Sequence, residues 1–239
     1  MSAMDDRPFS HVADYTEYMA AVRALLAAGP RHRRVLDVPA GGGRLADALR
    51  ADGFEVVCAD INRAREDYVY ADMGEPLPFA DGSFDVACCL EGLEHLIEPV
   101  PLIRELVRVT RHGGEIVVST PNVANFYSRL AFLFTGAFYQ FNPAAVPAVA
   151  QGEARDRGHI TPLNLYQLEY LFLHHGASLK QVAGDRWKKK ALLPLYALLL
   201  PFVWLATRRT FRRNPALGAW GLAPAALFAR SLVLVFEKR

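Results

Sequence analysis

The stretch VLDVPAGGGRLADAL, Val35 to Leu49, constrains this chain more than any other. A short β-branched run leads into small residues, and these lead into apolar positions at helical spacing. The glycines let the backbone reverse sharply, let a ligand touch the main chain, and leave N–H groups facing it at a helix start. The rest of the chain repeats the alternation. Strands are predicted at Arg34–Val38, Glu55–Asp60, Asp67–Asp72, Phe84–Leu90, Glu115–Thr120, Ala177–Gly184 and Ser231–Lys238, and helices at Ala13–Ala28, Arg44–Ala51, Pro101–Thr110, Val123–Phe134 and Leu163–His175. Alternating strands and helices imply a parallel sheet covered on both faces. Such sheets bind ligands beyond the carboxyl ends of their strands. The functional residues are therefore expected at Asp37–Gly43, Asp60, Asp72, Leu90–His95 and Thr120–Asn122.

Composition removes several classes. Of 239 residues, 52% are hydrophobic and 22% charged, so a full core is available and global disorder is excluded. A net charge of +2 gives no argument for nucleic acid. Cys58, Cys88 and Cys89 sit in apolar strand runs without a C-x-x-C, which reads as reduced core thiols rather than zinc ligands or disulfides. The first residues, MSAMDDRPFSHVADY, lack the apolar segment of a signal peptide. No metal-ligand spacing stands out along the chain, so no metal is expected.

The acids around the glycine turn discriminate between cofactors. Gly41–Ala46 fits G-x-G-x-x-A, a weak dinucleotide signature that a ligand-free turn also satisfies. Asp37 stands just before the turn, where it would repel a pyrophosphate and suit a ligand carrying an ammonium and a sulfonium. Asp60 ends the second strand, placed for ribose hydroxyls, which fits NAD and S-adenosylmethionine equally. Asp72 ends the third, where a carboxylate can accept from an adenine amino group.

With VVCADI, ADMGEPLPFADGSFDVACCLEGLEHL and GGEIVVSTPN, the glycine stretch resembles class I S-adenosylmethionine-dependent methyltransferases, small-molecule branch, similar to quinone-biosynthesis and polysaccharide-cluster enzymes. The resemblance covers Arg33 to Gly184 and departs at Pro39, which replaces the first glycine of D-x-G-x-G-x-G and offers no N–H. It implies a Rossmann-like α/β fold with a seven-stranded sheet of order 3-2-1-4-5-7-6, strand seven antiparallel. It implies S-adenosylmethionine as cofactor: Asp37, Pro39, Gly41 and Gly43 at the methionine part, Asp60 at the ribose, Ile61 against the adenine, Asp72 and the Met73 N–H at its edge, and Leu90 as floor.

Methyl transfer is an in-line displacement, so alignment and desolvation are most of what a protein supplies. An oxygen or carbon nucleophile also calls for a base. His95 and His159 are the catalytic candidates on the ligand side, as base or as groups that orient the acceptor, with Thr161 expected as a helix N-cap. Loop hydrogen bonding is the structural alternative for both. His174 and His175 close a helix and read as structural. Phe132 and Phe134 are expected to pack in the core, Phe138 to Phe141 to form a lid, and Ala144 to Arg157 to be mobile.

Residues 188–230 are not methyltransferase core. The apolar block Ala191–Ala206 would reach about 24 Å as a helix, short of the roughly 30 Å of a bilayer interior, and Pro194 and Pro201 interrupt it. Lys and Arg flank both ends and Trp187, Trp204 and Trp220 suit an interface. The reading is therefore a single 1–239 domain with a monotopic, interfacial insertion, against a helical cap or dimer surface and a spanning pair. The functional expectation is a cytoplasmic methyltransferase, peripheral on the inner membrane face, acting on a lipid-linked acceptor such as a quinone precursor or isoprenoid-linked glycolipid. A soluble small-molecule methyltransferase is the nearest rival, and an NAD-dependent oxidoreductase or a non-catalytic membrane adaptor the rivals of another class.

Overall fold

The computed structural model describes residues 14–30, 33–62, 65–141, 158–187 and 189–239. Within them the chain runs α1 (Glu17–Ala27), β1 (Arg34–Asp37), α2 (Arg44–Ala51), β2 (Glu55–Asp60), β3 (Val69–Tyr70), β4 (Phe84–Leu90), a 3-10 turn (Leu93–His95), α3 (Val100–Val109), β5 (Thr110–Pro121) and α4 (Phe126–Thr135). It continues with α5 (Leu165–His174), β6 (Ala177–Gly184), a second 3-10 turn (Lys190–Leu192), α6 (Leu193–Thr210), α7 (Pro215–Gly221), α8 (Pro224–Phe228) and β7 (Ser231–Lys238). One seven-stranded sheet has the order 3-2-1-4-5-7-6. β7 is antiparallel to both neighbours, Val118 facing Leu234 on β5 and Val182 facing the same residue from β6.

The sheet is buried on both faces, which is why its strands read as continuous apolar runs. One core joins Leu36, Ala87 and Ile116 to Leu102, Leu106, Leu168 and Phe172 of α3 and α5, with Phe172 stacked on Phe236 at 4.0 Å. The other joins Val35, Val86 and Val117 to Val22, Leu26, Leu45 and Leu49 of α1 and α2. Cys58, Cys88 and Cys89 are free thiols within these cores.

Several elements differ from their sequence pattern. β3 has two residues rather than six, and β5 begins five residues earlier than expected, through a bulge opposite Phe84 and Val86. The N-cap of α5 is Asn164, not Thr161: its side chain accepts from the Gln167 amide while Gln167 bonds back, a reciprocal capping box. Thr161 instead donates its hydroxyl to the Leu96 carbonyl. Phe132 and Phe134 are not core residues; they are 46% and 81% exposed, because α4 turns only Phe126 and Ser128 fully inward. The expectation of a mobile 144–157 lies outside the described residues.

The largest correction concerns the insertion. Its apolar block is not broken by proline: Pro194 occupies the first turn of α6, where no donor is lost, and the helix continues through Pro201. With the preceding 3-10 turn, residues 190–210 form a segment long and apolar enough to cross a membrane, at about 1.5 Å per residue roughly the thickness of the hydrocarbon layer. Only Tyr196 of α6 is buried, stacked on Phe126 at 5.0 Å in a small cluster with Leu227. Both ends of the helix are nevertheless tied to the sheet body. Before it, Trp187 bridges Ala229; after it, Phe211 packs on Tyr166 of α5 at 4.5 Å.

Candidate active site

β1 ends in Asp37, 2% exposed, and the chain turns through Pro39, Ala40, Gly41 and Gly43 into α2. Gly41 and Gly43 have φ of 53° and 73°, a region that glycine enters without strain. A side chain at Gly43 would also strike the Arg65 guanidinium and the Tyr68 hydroxyl, which brace the turn from outside. Tyr68 donates to the Gly41 carbonyl at 3.0 Å, and Arg65 is held by Asp47 at 2.8 Å. Asp60 closes the turn from β2: it accepts from the Gly41 amide at 2.7 Å and from the Asn62 amide at 2.9 Å.

The carboxylates differ in condition. Asp37 is pushed up to about 7, first by burial and then by the charge of Asp60, and its Oδ2 has no hydrogen-bond partner. Asp60 is also raised, by burial, against hydrogen bonds that hold it down. Asp72 accepts from the Gly74 amide at 2.8 Å and so shapes its own turn. Gly92, just past β4, lies where a side chain would strike Pro39, Cys89 and Met73 together, so the loops after β1, β3 and β4 converge. Leu90 ends β4, buried beside them.

A second group lies across that convergence. Glu91 has a φ of 49°, and its amide donates to Ser119 of β5. The 3-10 turn then presents Glu94 and His95. The backbone carbonyl of Glu94 accepts from the Ile160 and Thr161 amides at 2.8 and 3.0 Å, which draws His159 alongside. The rings of His95 and His159 meet edge to face at 5.1 Å. His159 Nδ1 lies 2.8 Å from the Gln140 carbonyl, so that nitrogen carries the proton and Nε2 keeps its lone pair. Burial, then the neighbouring His95, lowers the His159 pKa and keeps the ring neutral. Burial raises Glu91 to about 7 and Glu94 well above the usual carboxylate range.

The two histidines picked from the sequence are thus brought together. Glu94 joins them, while His174 and His175 meet edge to face at the far end of α5. Asn122 serves another purpose: its amide donates to the Ala225, Ala226 and Ala229 carbonyls and pins the end of the insertion beside β5. Sequence reasoning missed Gln140 and the Arg230–Asp185 ion pair behind it, at 2.8 Å. It also missed Tyr68 and Arg65. None of these five residues carries a local motif.

The model of the family described as methyltransferase domain matches residues 10–182. The chain belongs to that family. A demethylmenaquinone methyltransferase of Clavibacter sepedonicus is 39% identical over 106 residues, 38% of this chain and 43% of that protein. A ubiquinone biosynthesis O-methyltransferase of Aromatoleum aromaticum is 32% identical over 126 residues, 47% and 53% of the two chains. The match thus spans about half the length of these curated relatives. Among solved structures, an S-adenosylmethionine-dependent methyltransferase from Mesorhizobium loti aligns with a TM-score of 0.57 at 16% identity, over 93% of this chain and 98% of the other. The cyclase SpnF aligns with a TM-score of 0.56 at 20% identity, over 93% and 80%. Neighbours this distant show the fold alone, and one of them is named for a different reaction.

The cofactor of this methyltransferase family is S-adenosylmethionine, and the residues present fit it. A buried carboxylate with an unpartnered oxygen stands at a glycine turn, a costly arrangement unless a cation is to meet it. Two cavities flank α4. One, of about 410 Å³, is lined by Val123, Arg129, Phe138 and Pro162; the other, of about 330 Å³, lies between α4 and α6.

Proposed function

We propose that this chain, as one domain with an insertion at 188–230, transfers a methyl group from S-adenosylmethionine to a lipid-linked acceptor at the inner face of a membrane. Bound in the turn, S-adenosylmethionine supplies a methyl group activated by its sulfonium. Asp37 receives the ammonium of the methionine part, with Pro39 and the Gly41–Gly43 backbone beside it. Asp60 takes the ribose hydroxyls, Ile61 lies on the adenine, Asp72 and the Met73 amide meet its edge, and Leu90 closes the floor. His95 and His159 face the acceptor. The neutral His159 ring, fixed by Gln140, is ready to orient the nucleophilic atom or take its proton.

One observation carries the membrane part of this reading. α6 leaves Leu198, Phe202, Trp204 and Leu205 exposed by 67%, 69%, 47% and 44%, and the exposed Leu133 of α4 lines one cavity with Phe202. A contiguous apolar face of this kind marks a contact with lipid or protein. Lys189 and Lys190 at one end and Arg208, Arg209, Arg212 and Arg213 at the other favour an anionic bilayer over a protein partner. Because both ends of α6 are fastened to the sheet body, a helix lying in the interface fits better than one crossing it. The relatives named for demethylmenaquinone and ubiquinone biosynthesis support a quinone-type acceptor.

The test is transfer of radiolabelled methyl groups from S-adenosylmethionine into total lipid and aqueous extracts. Label in the lipid fraction is expected. Label in the aqueous fraction alone makes the acceptor soluble. No label in either, with no binding of S-adenosylhomocysteine, rejects the transferase and leaves the oxidoreductase or adaptor.

A further inference from the structure

The strongest unassigned feature is the cluster of Glu94, His95 and His159. One ligand atom from each lies within 4.8 Å of the other two. For three such atoms a common point exists within about 2.8 Å of all of them, so binding a cation at roughly 2.0–2.2 Å asks each donor to move by less than about an ångström.

Three features show that the cluster is built rather than accidental. First, the segments are stitched by main chain: the Ile160 and Thr161 amides both donate to the Glu94 carbonyl, and the Thr161 hydroxyl donates to the Leu96 carbonyl at 2.5 Å. Residues on either side of each donor are therefore fixed. Second, His159 holds Nδ1 against the Gln140 carbonyl at 2.8 Å, the outer contact that sets the tautomer of a metal-binding imidazole and turns Nε2 inward. Gln140 is itself braced by Arg230, whose Nη1 reaches its side chain at 3.4 Å. Third, Glu94 is 0% exposed, and its carboxylate oxygens have no well-formed hydrogen bond, with its own amide and the Thr120 hydroxyl close by. A side chain so placed, among two imidazoles, is missing its counter-charge.

We infer that Glu94, His95 and His159 form a binding site for one divalent transition-metal cation beside the methyl-donor pocket. Two imidazole nitrogens and one carboxylate oxygen suit zinc, manganese, cobalt or ferrous iron better than calcium. Three protein donors leave further coordination positions open. Those positions are where an acceptor with an oxygen donor, such as a phenol or enol, would be held in line. That holding role rests on the methyl-transfer reading above; the cation site itself does not.

The experiment uses the full chain, stripped with a chelator, dialysed, and titrated with Co²⁺ by visible absorption and with Zn²⁺ by calorimetry. Saturable one-to-one binding with ligand-field bands of a mixed nitrogen and oxygen site is expected. Glu94→Gln, His95→Ala and His159→Ala should each weaken it by more than about 100-fold, beyond what loss of an outer partner costs. His112→Ala and His174→Ala should leave it unchanged. Near-ultraviolet circular dichroism and S-adenosylhomocysteine binding on the same samples show that the variants are folded. No saturable binding by the parent chain overturns the site, as does binding that survives Glu94→Gln and His159→Ala in folded protein. Full methyl transfer by stripped protein overturns the holding role and returns the histidines to acting as a base. Failure of the parent to bind S-adenosylhomocysteine refutes the proposed function without touching the cation result.

Discussion

Binding of S-adenosylhomocysteine should depend on pH through one residue, Asp37. Its carboxyl is 2% exposed, and burial followed by the charge of Asp60 raises it from an ordinary 3.8 to about 7. A raised carboxyl is neutral below that value, and in the ligand-free protein its contribution to stability is complete below about 4 and lost as the pH rises through 7. The ligand's ammonium requires the ionised form. If only that form binds, affinity follows the ionised fraction, which makes it about tenfold weaker at pH 6 than at pH 8 and about 100-fold weaker at pH 5. Asp37→Asn keeps the shape and removes the proton. It should lose about 10–150-fold in affinity at pH 8, the equivalent of a charge-assisted hydrogen bond of about 1.5–3 kcal/mol, and should show little pH dependence. Calorimetry from pH 5 to 8 on both proteins measures the effect. An Asp37→Asn protein that retains the parent's slope would refute the assignment, because the proton would then belong to another group. A flat parent would refute the link between burial and recognition.

Asp60→Ala should weaken S-adenosylhomocysteine by about 10–150-fold through loss of charge-assisted bonds, and NAD should not bind the parent; unchanged affinity in the calorimeter would remove Asp60 from the ribose site. His95→Ala and His159→Ala should each lower turnover by about 10²–10⁴ while cofactor affinity stays nearly intact; steady-state rates near the parent's in both would leave alignment by other groups as the explanation. Flotation with anionic vesicles should exceed that with neutral ones and weaken with salt, each basic residue near the surface contributing about 1 kcal/mol. Cysteines introduced singly at Lys189 and Arg212 should label from the same side of the bilayer, and labelling of the second from the far side alone would make α6 a spanning helix.

The sheet was legible because its signals are local. β2, β4, β6 and β7 fall where the apolar runs end, and Asp37, Asp60 and the glycine turn sit where a parallel sheet puts its ligands. The sequence makes α6 look too short because only its apolar block, Ala191–Ala206, is counted, and interrupted because that block holds two prolines. Pro194 stands at a helix start, and the polar residues through Thr210 extend the helix beyond its apolar block. Phe132 and Phe134 were misplaced for a related reason. Aromatic character suggests burial in an ordinary soluble domain, but α4 borders an insertion that leaves much of its own surface apolar and exposed.

The histidine cluster was only half legible, and the cause is the distance along the chain over which it is assembled. His95 and His159 stand 64 positions apart, and nothing in their spacing resembles a ligand pattern. What joins them is a pair of amides on the Glu94 carbonyl, contacts that carry no side-chain signature. Gln140 and Arg230 enter the same way, through a backbone carbonyl and an ion pair with Asp185. Arg230 ends the insertion and immediately precedes β7, and Asn122 pins that insertion's last helix to the end of β5. The segment carrying the exposed apolar helix therefore ends on the residue that braces Gln140 and, through it, His159. A protein that docks α6 on a membrane would hold its acceptor site at a fixed height above the surface, which is what a lipid-linked substrate requires.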